Sequence, residues 1–262
     1  MTALGEAVQA ALLTGDPRGK VKAARAVARA WRRGELSWEF AAEMPVRPAW
    51  PAELELLPPN RMPKRGRGGS QRNAIALWHS LAHIEFVAID LALDMAGRFG
   101  PAMGRGFVDD FLGVAADEAM HFALIERRLR ELGSHYGALP AHDGLWEAAH
   151  ETRSDVLARL AVVPMVLEAR GLDVTPATRD RVLALGDRRG AQVLQRILDD
   201  EIRHVAVGTR HFIALCRRRG KTPENHWKTL VSRHFRGALK PPFNDSARLT
   251  AGLSREFYAG VA

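Results

Sequence analysis

Apolar residues recur every three or four positions along most of this chain, the period of an amphipathic helix, and alternating strand patterns are scarce. In "GKVKAARAVARAWRRGEL" the apolar positions fall at 21, 24, 27, 28 and 31, and residues 1–44 read as helical. The segment 44–70, "MPVRPAWPAELELLPPNRMPKRGRGGS", is rich in proline and glycine and cannot be one helix or a central strand. It reads as an ordered strap over the surface, with Trp50, Leu54, Leu56, Leu57 and Met62 as anchors. From residue 71 the pattern predicts helices over 71–99, 104–133, 145–171 with a kink at Pro164, and 191–220. A loop is expected at 134–144, a short helix over 173–187 opened by Thr175–Pro176, and a tail folded back as a loop and short helix. The expected class is all-α.

The acids and histidines of the long helices form a repeat. Glu118 and His121 in "DEAMH" are three apart and share a helix face, as do Glu201 and His204 in "DEIRH", 83 residues later. Glu85 lies 33 residues before Glu118, and Glu168 lies 33 before Glu201. One Glu-x-x-His arises often by chance and then marks a solvated face. Two copies in register, each with an upstream glutamate inside an apolar helix, are far harder to obtain by accident. Four carboxylates converging in a core repel one another unless cations neutralise them. Four carboxylates and two histidines suit two divalent metals, the ligand set used by dinuclear carboxylate bundles. Asp117 and Asp200 precede the two motif glutamates and share the 83-residue spacing, so they are expected to orient the ligating histidines. Asp199 has no counterpart and reads as a surface acid. His79 and His83 read as a core pair, His211 as a core histidine, His142 as a helix cap, and Arg170 as a partner for a core carboxylate.

Composition changes this picture little. The 262 residues suffice for one large domain with extensions, and 47% hydrophobic content is ordinary for a globular chain. No uninterrupted apolar run is long enough to span a bilayer, and the first twenty residues lack the basic start of a signal peptide. Cys216 is the only cysteine, which excludes an internal disulfide and fits a cytoplasmic protein. The net charge is +8, with basic clusters at 25–33, 61–69 and 216–221. It favours anionic partners, although a solvated surface is the plainer reading and nucleic acid is not favoured.

At the ligand motifs the chain resembles the ferritin-like superfamily. The strings "PKRGRGG", "HIEFVAIDLALD", "DEAMHF", "AHDGLWEAA", "VPMVLEARGLDVTP", "DEIRHVAVG" and "KPPFN" resemble the bacterial family DUF455 over about residues 20–260. The resemblance implies a ferritin-like four-helix bundle over 71–220, preceded by a helical extension and strap over 1–70 and followed by an extension over 221–262 packed on the bundle. It implies a dinuclear site at Glu85, Glu118, His121, Glu168, Glu201 and His204, with iron, manganese or a mixed pair. It implies no substrate. The expected activity is metal-dependent oxidation of an unknown organic substrate with O2. The alternatives are a metal-handling protein without such a substrate, or an RNA-modifying hydroxylase. Tyr136 and Tyr258, the only tyrosines, lie off the ligand helices, which disfavours a tyrosyl-radical role. Glu168, three residues before Gly171, sits awkwardly near the end of its expected helix, so residues 172–187 would have to climb about 20 Å separately.

Overall fold

A computed structural model describes residues 1–63 and 69–260, and the basic stretch 64–68 of the strap lies outside the described residues. Helices dominate. The strands described are Thr2–Ala3 (β1) and Leu36–Ser37 (β2), which pair in parallel. The chain divides into two compact units, 1–146 and 147–262.

In the first unit, α1 (Leu4–Leu12) leads to α2 (Pro17–Arg32). Asp16 caps α2 by accepting from the Gly19 N–H, and Pro17 opens it, where its missing N–H costs nothing. Ala24, Val27, Ala28 and Trp31 are buried while Arg25, Arg29 and Arg32 face outward, as the period requires. Helix ends here, short of residue 44: Gly34 takes φ +69° just past the last turn. Residues 38–58 form neither helix nor a named strand. Of the strap's proposed anchors, Leu54 is buried, Trp50 is half-buried and Leu56 is exposed. Leu56 and Leu57 are instead held by backbone: Leu57 N–H donates to Ala141 O at 2.8 Å, and Ala141 N–H to Glu55 O at 2.9 Å. Met44 is seated on Gly97, where an added Cβ would lie 2.3 Å from its sulfur.

Helix α3 (Gln71–Asp94) is capped by Ser70. It continues through a wide turn at Met95–Phe99 into α4 (Gly100–Met103), and the chain reverses at Gly104 (φ +91°) into α5 (Arg105–Glu131). With its continuation to Met103, α3 is long and apolar enough by average composition to cross a membrane, which a search for unbroken apolar runs misses. Most of it is buried in the fold, where it carries Glu85, Asp90 and Asp94, the pattern of a core helix. His142 caps α6 (Gly144–Glu151), accepting from the Gly144 N–H at 3.3 Å.

The second unit corrects the expected helix over 145–171. Helix α6 stops at Glu151, and Asp155 opens a new helix by accepting from the Leu157 N–H. From there α7 (Val156–Val162), a wide turn at Val163–Glu168 and α8 (Ala169–Ala184) run without a break. Pro176 therefore lies inside α8 and does not start a helix. Its missing N–H would have bonded the Leu172 carbonyl; the Asn244 side-chain amide donates there at 3.1 Å. Pro164 opens the wide turn, where its lack of an N–H interrupts regular helical bonding. Gly186 (φ +86°) reverses the chain and Asp187 caps α9 (Arg188–Arg218). Pro164 packs on Gly208 of α9, where an added Cβ would lie 2.3 Å from the proline ring. The tail contributes α10 (Pro223–His234), unforeseen in the sequence reading, then α11 (Asp245–Thr250) and α12 (Arg255–Tyr258), with Phe257 and Tyr258 buried.

Candidate metal centre

Both units turn out to be helical hairpins with a glutamate midway along each arm. Glu85 lies 14 residues before Phe99, and Glu118 lies 13 after Arg105. Because α8 continues to Ala184, Glu168 lies 16 residues before its end, and Glu201 lies 13 after Arg188. The awkward position of Glu168 disappears. Gly171, one turn beyond Glu168, lies beside Glu201: an added Cβ would be 4.0 Å from its Cγ, an ordinary van der Waals contact.

In the first unit Glu85, Glu118 and His121 form a triad. His121 Nδ1 lies 3.3 Å from Glu85 Oε2 and 3.3 Å from Glu118 Oε2. Glu118 is 1% exposed and His121 is fully buried. Burial first, then the charge of Glu118, raises the pKa of Glu85 well above the usual carboxylate range. Burial alone would also strip His121 of its proton. The hydrogen bonds and charges of Glu118 and Glu85 outweigh it and push the imidazole up to about 11. The two carboxylates thus favour the protonated imidazole, and burial opposes it. Such a group of ligand atoms can hold a metal cation.

In the second unit His204 Nδ1 lies 3.5 Å from Glu201 Oε1, and both are buried. Glu168 ends the wide turn and is half-buried. Asp200 is buried and accepts from Arg196 Nε at 2.6 Å and from Arg203. Asp117 is half-buried on α5, and Asp199 is exposed, bonded to Gln195.

The repeat extends further than the sequence reading took it. Five residues after Glu85 is Asp90, and five after Glu168 is Asp173, again 83 apart. Each is met by a buried cation from an extension. Lys20 Nζ of α2 reaches Asp90 Oδ1 at 2.5 Å, with Trp50 Nε1 on Oδ2 at 3.0 Å. Arg248 of α11 forks onto Asp173, with Nε to Oδ1 at 2.8 Å and Nη2 to Oδ2 at 2.7 Å. All four side chains are essentially unexposed. Burial raises the pKa of Asp90 to about 6 in spite of Lys20, and lowers that of Lys20 in spite of Asp90. Arg170, read as a partner for a core carboxylate, lies 3.5 Å from Asp173 and donates to Lys240 O at 2.6 Å. The 83-residue spacing could have flagged the aspartates; nothing in the sequence marked their cations.

His79 and His83 form the expected core pair. His83 Nε2 donates to His142 O at 3.0 Å, so its Nδ1 accepts from Tyr136 OH at 2.9 Å. His79 Nε2 accepts from the Gly137 and Leu139 N–H groups. Burial lowers both histidines to about 4. Tyr136, set aside because it lies off the ligand helices, packs from its loop against Phe86 and Phe122, the residues that follow Glu85 and His121. A cavity of about 830 Å³ lies at the start of α3, lined by Met62, Arg72, Asn73, His79 and Leu139 among others.

The fold and the triad define a class: an all-α protein with buried carboxylates and histidine able to hold a metal ion. Within it the chain belongs to the family described as protein of unknown function (DUF455), which matches residues 13–259. It is similar to an uncharacterized protein of Haemophilus influenzae, 40% identical over 213 residues, or 79% of this chain and 74% of the relative. No solved structure matches the chain.

Proposed function

We propose that this protein is a metal-dependent oxidoreductase that uses two transition-metal ions and O2 to oxidise an organic substrate. The observation that carries the reading is the triad: two carboxylates buried against one histidine are costly unless positive charge offsets them or one takes up a proton. That Glu168, Glu201 and His204 complete the same centre rests on the 83-residue repeat, and a ferritin-like bundle is the arrangement this implies. Iron fits the carboxylate-rich set, as manganese or a mixed pair would. When bound, such ions supply the redox chemistry with O2. The chain's own residues do the rest. Glu85, Glu118, Glu168 and Glu201 provide oxygen ligands, His121 and His204 provide nitrogen ligands, and Asp117 and Asp200 orient them. Burial excludes bulk water around Glu118 and His121. The cavity beginning one and a half turns before Glu85, at His79, has the size of a small-molecule site. The single buried thiol, Cys216, suits a reducing cytoplasm.

Elemental analysis of purified protein tests the site, with up to two iron or manganese ions expected per chain. Glu118→Ala combined with Glu201→Ala should lose them; equal metal content in wild type and double variant ends the proposal. O2 uptake by the Fe(II)-loaded protein tests the activity. Turnover should rise with a suitable organic substrate, which is recovered oxidised. Retention of many ferric ions per chain without substrate oxidation would identify an iron handler.

A further inference from the structure

The cavity at the start of α3 lies within the first unit, and three segments line it. Met62 and Pro63 come from the strap, Leu139 and Pro140 from the loop after α5, and the rest from the start of α3. On the helix much of the lining follows one stripe. Arg72, Ile75, Ala76 and His79 stand at i, i+3, i+4 and i+7, the spacing of a single helix face. Arg72 and His79 are therefore two turns apart, about 10 Å at 1.5 Å per residue. Ile75 and Ala76 lie between them, and Met62 and Leu139 add apolar wall from the other two segments.

The two ends of the stripe differ. Arg72 is exposed at the rim, and among the described lining residues it is the one charged side chain. His79 is 2% exposed. Its Nε2 accepts from the Gly137 N–H at 3.0 Å and the Leu139 N–H at 3.3 Å, so the neutral ring carries its proton on Nδ1. Burial, then the charges of His83 and His135, lowers its pKa to about 4, and the ring is uncharged near neutrality. The loop that makes these two bonds is itself pinned to the strap, with Leu57 N–H on Ala141 O at 2.8 Å, so the walls are set before any ligand arrives. A volume of about 830 Å³ is that of a small-molecule site. A single guanidinium in a lining without described acids disfavours cationic ligands and is balanced by one negative charge. Its planar fork fits a planar carboxylate.

We propose that this cavity binds an organic acid of single negative charge, its carboxylate held by Arg72, its apolar body laid along Ile75 and Ala76, and its far end at His79. The inference deepens the proposed function by naming the ligand's chemistry, and rests on it only for the ligand's fate as substrate. No residue of the cavity belongs to the proposed metal ligands, so binding stands or falls separately. Full-length protein is titrated calorimetrically at neutral pH with naphthoate and with decanoate, one rigid and one flexible apolar carboxylate. Both should bind. Naphthylmethanol, the uncharged counterpart of naphthoate, should bind about tenfold more weakly. Arg72→Gln should weaken naphthoate about tenfold and leave the alcohol unchanged. Arg72 is exposed in the first turn of α3, so the variant keeps its fold. Arg25→Gln, on the exposed face of α2, is the control and should bind as wild type does. Wild type stripped of metal by a chelator should also bind naphthoate unchanged. The proposal is overturned if neither acid binds wild type, or if acid and alcohol bind equally. It is overturned if Arg72→Gln and Arg25→Gln lose affinity equally, or if neither loses any. Loss of binding on stripping metal would put the acid at the metal centre and end the proposal. Tighter binding of naphthyl phosphate than of naphthoate would assign the cavity to a doubly charged anion and overturn the single charge.

Discussion

The two units carry one glutamate–histidine pattern on two different hairpins. In the first, Glu85 sits in regular helix, and the wide turn comes ten residues later at Met95–Phe99. In the second, the wide turn at Val163–Glu168 ends on the motif glutamate itself. The cause is local. Pro164 and Gly208 of the second unit stand where the first has Leu81 and Ile125, each 83 residues earlier. Leu81 leaves helical bonding intact; Pro164 interrupts it, and Gly208 lets the proline ring close in. What both units keep is the charge arithmetic: two glutamates, a histidine one turn on, and an aspartate five residues past the first glutamate, clasped by a buried cation. The difference teaches that the backbone path to a motif glutamate can vary while the clasped aspartate five residues on is retained.

The clasps give the strongest test of that equivalence. Lys20→Ala leaves Asp90 buried without its cation, and Arg248→Ala does the same to Asp173. Each should cost about 3–5 kcal/mol in urea unfolding at neutral pH. A loss below about 1 kcal/mol in one variant alone would show that only one clasp supports its hairpin. Next in size are the aspartates beside the motif glutamates. Asp117→Asn or Asp200→Asn should keep the fold and weaken metal binding about 10–100-fold in competition with a chelator. Asp200 is engaged by Arg196 and Arg203, so the ratio of the two losses sharpens the comparison. No effect at either position would reduce both to structural acids.

The smallest effect separates the units by pH. The first unit has His79 where the second has Val162. Burial, then the neighbouring His83 and His135, lowers His79 to about 4, so the fold keeps it neutral while the unfolded chain takes a proton below about 6.5. Its contribution to stability is complete above about pH 6.5 and is lost as pH falls toward 4. Asp90, raised to about 6, acts in the opposite sense. The informative quantity is therefore the difference between wild type and His79→Gln in urea midpoint from pH 7.5 to 4.5. The variant's acid limb should be shallower; parallel curves would show that His79 does not titrate on unfolding.

Helix class and ligand pattern were legible in the sequence because both are periodic. A helix period exposes Glu118 with His121, and a fixed offset exposes the second copy. Boundaries were less legible where tertiary contacts decide them. Thr175–Pro176 has the chemistry of a helix start, yet Asn244 satisfies the Leu172 carbonyl that Pro176 leaves open, and the helix runs through. Asp155 was a cap hidden inside a pattern that looked continuous. Tyr136 lies off the helices that carry the motif, yet a loop brings its ring to Phe86 and Phe122.

The clasps also govern the order in which the molecule can assemble. Lys20 and Asp90 are 70 residues apart and Arg248 and Asp173 are 75 apart, whereas each hairpin closes over a few residues at Gly104 or Gly186. Closing the longer loops costs more chain entropy, growing only as the logarithm of length. The hairpins can therefore form first and each acquire a carboxylate that waits for a distant cation. A fragment cut to 71–220 would keep both aspartates and lose both cations, stranding two negative charges at the heart of the helices that carry the motif glutamates.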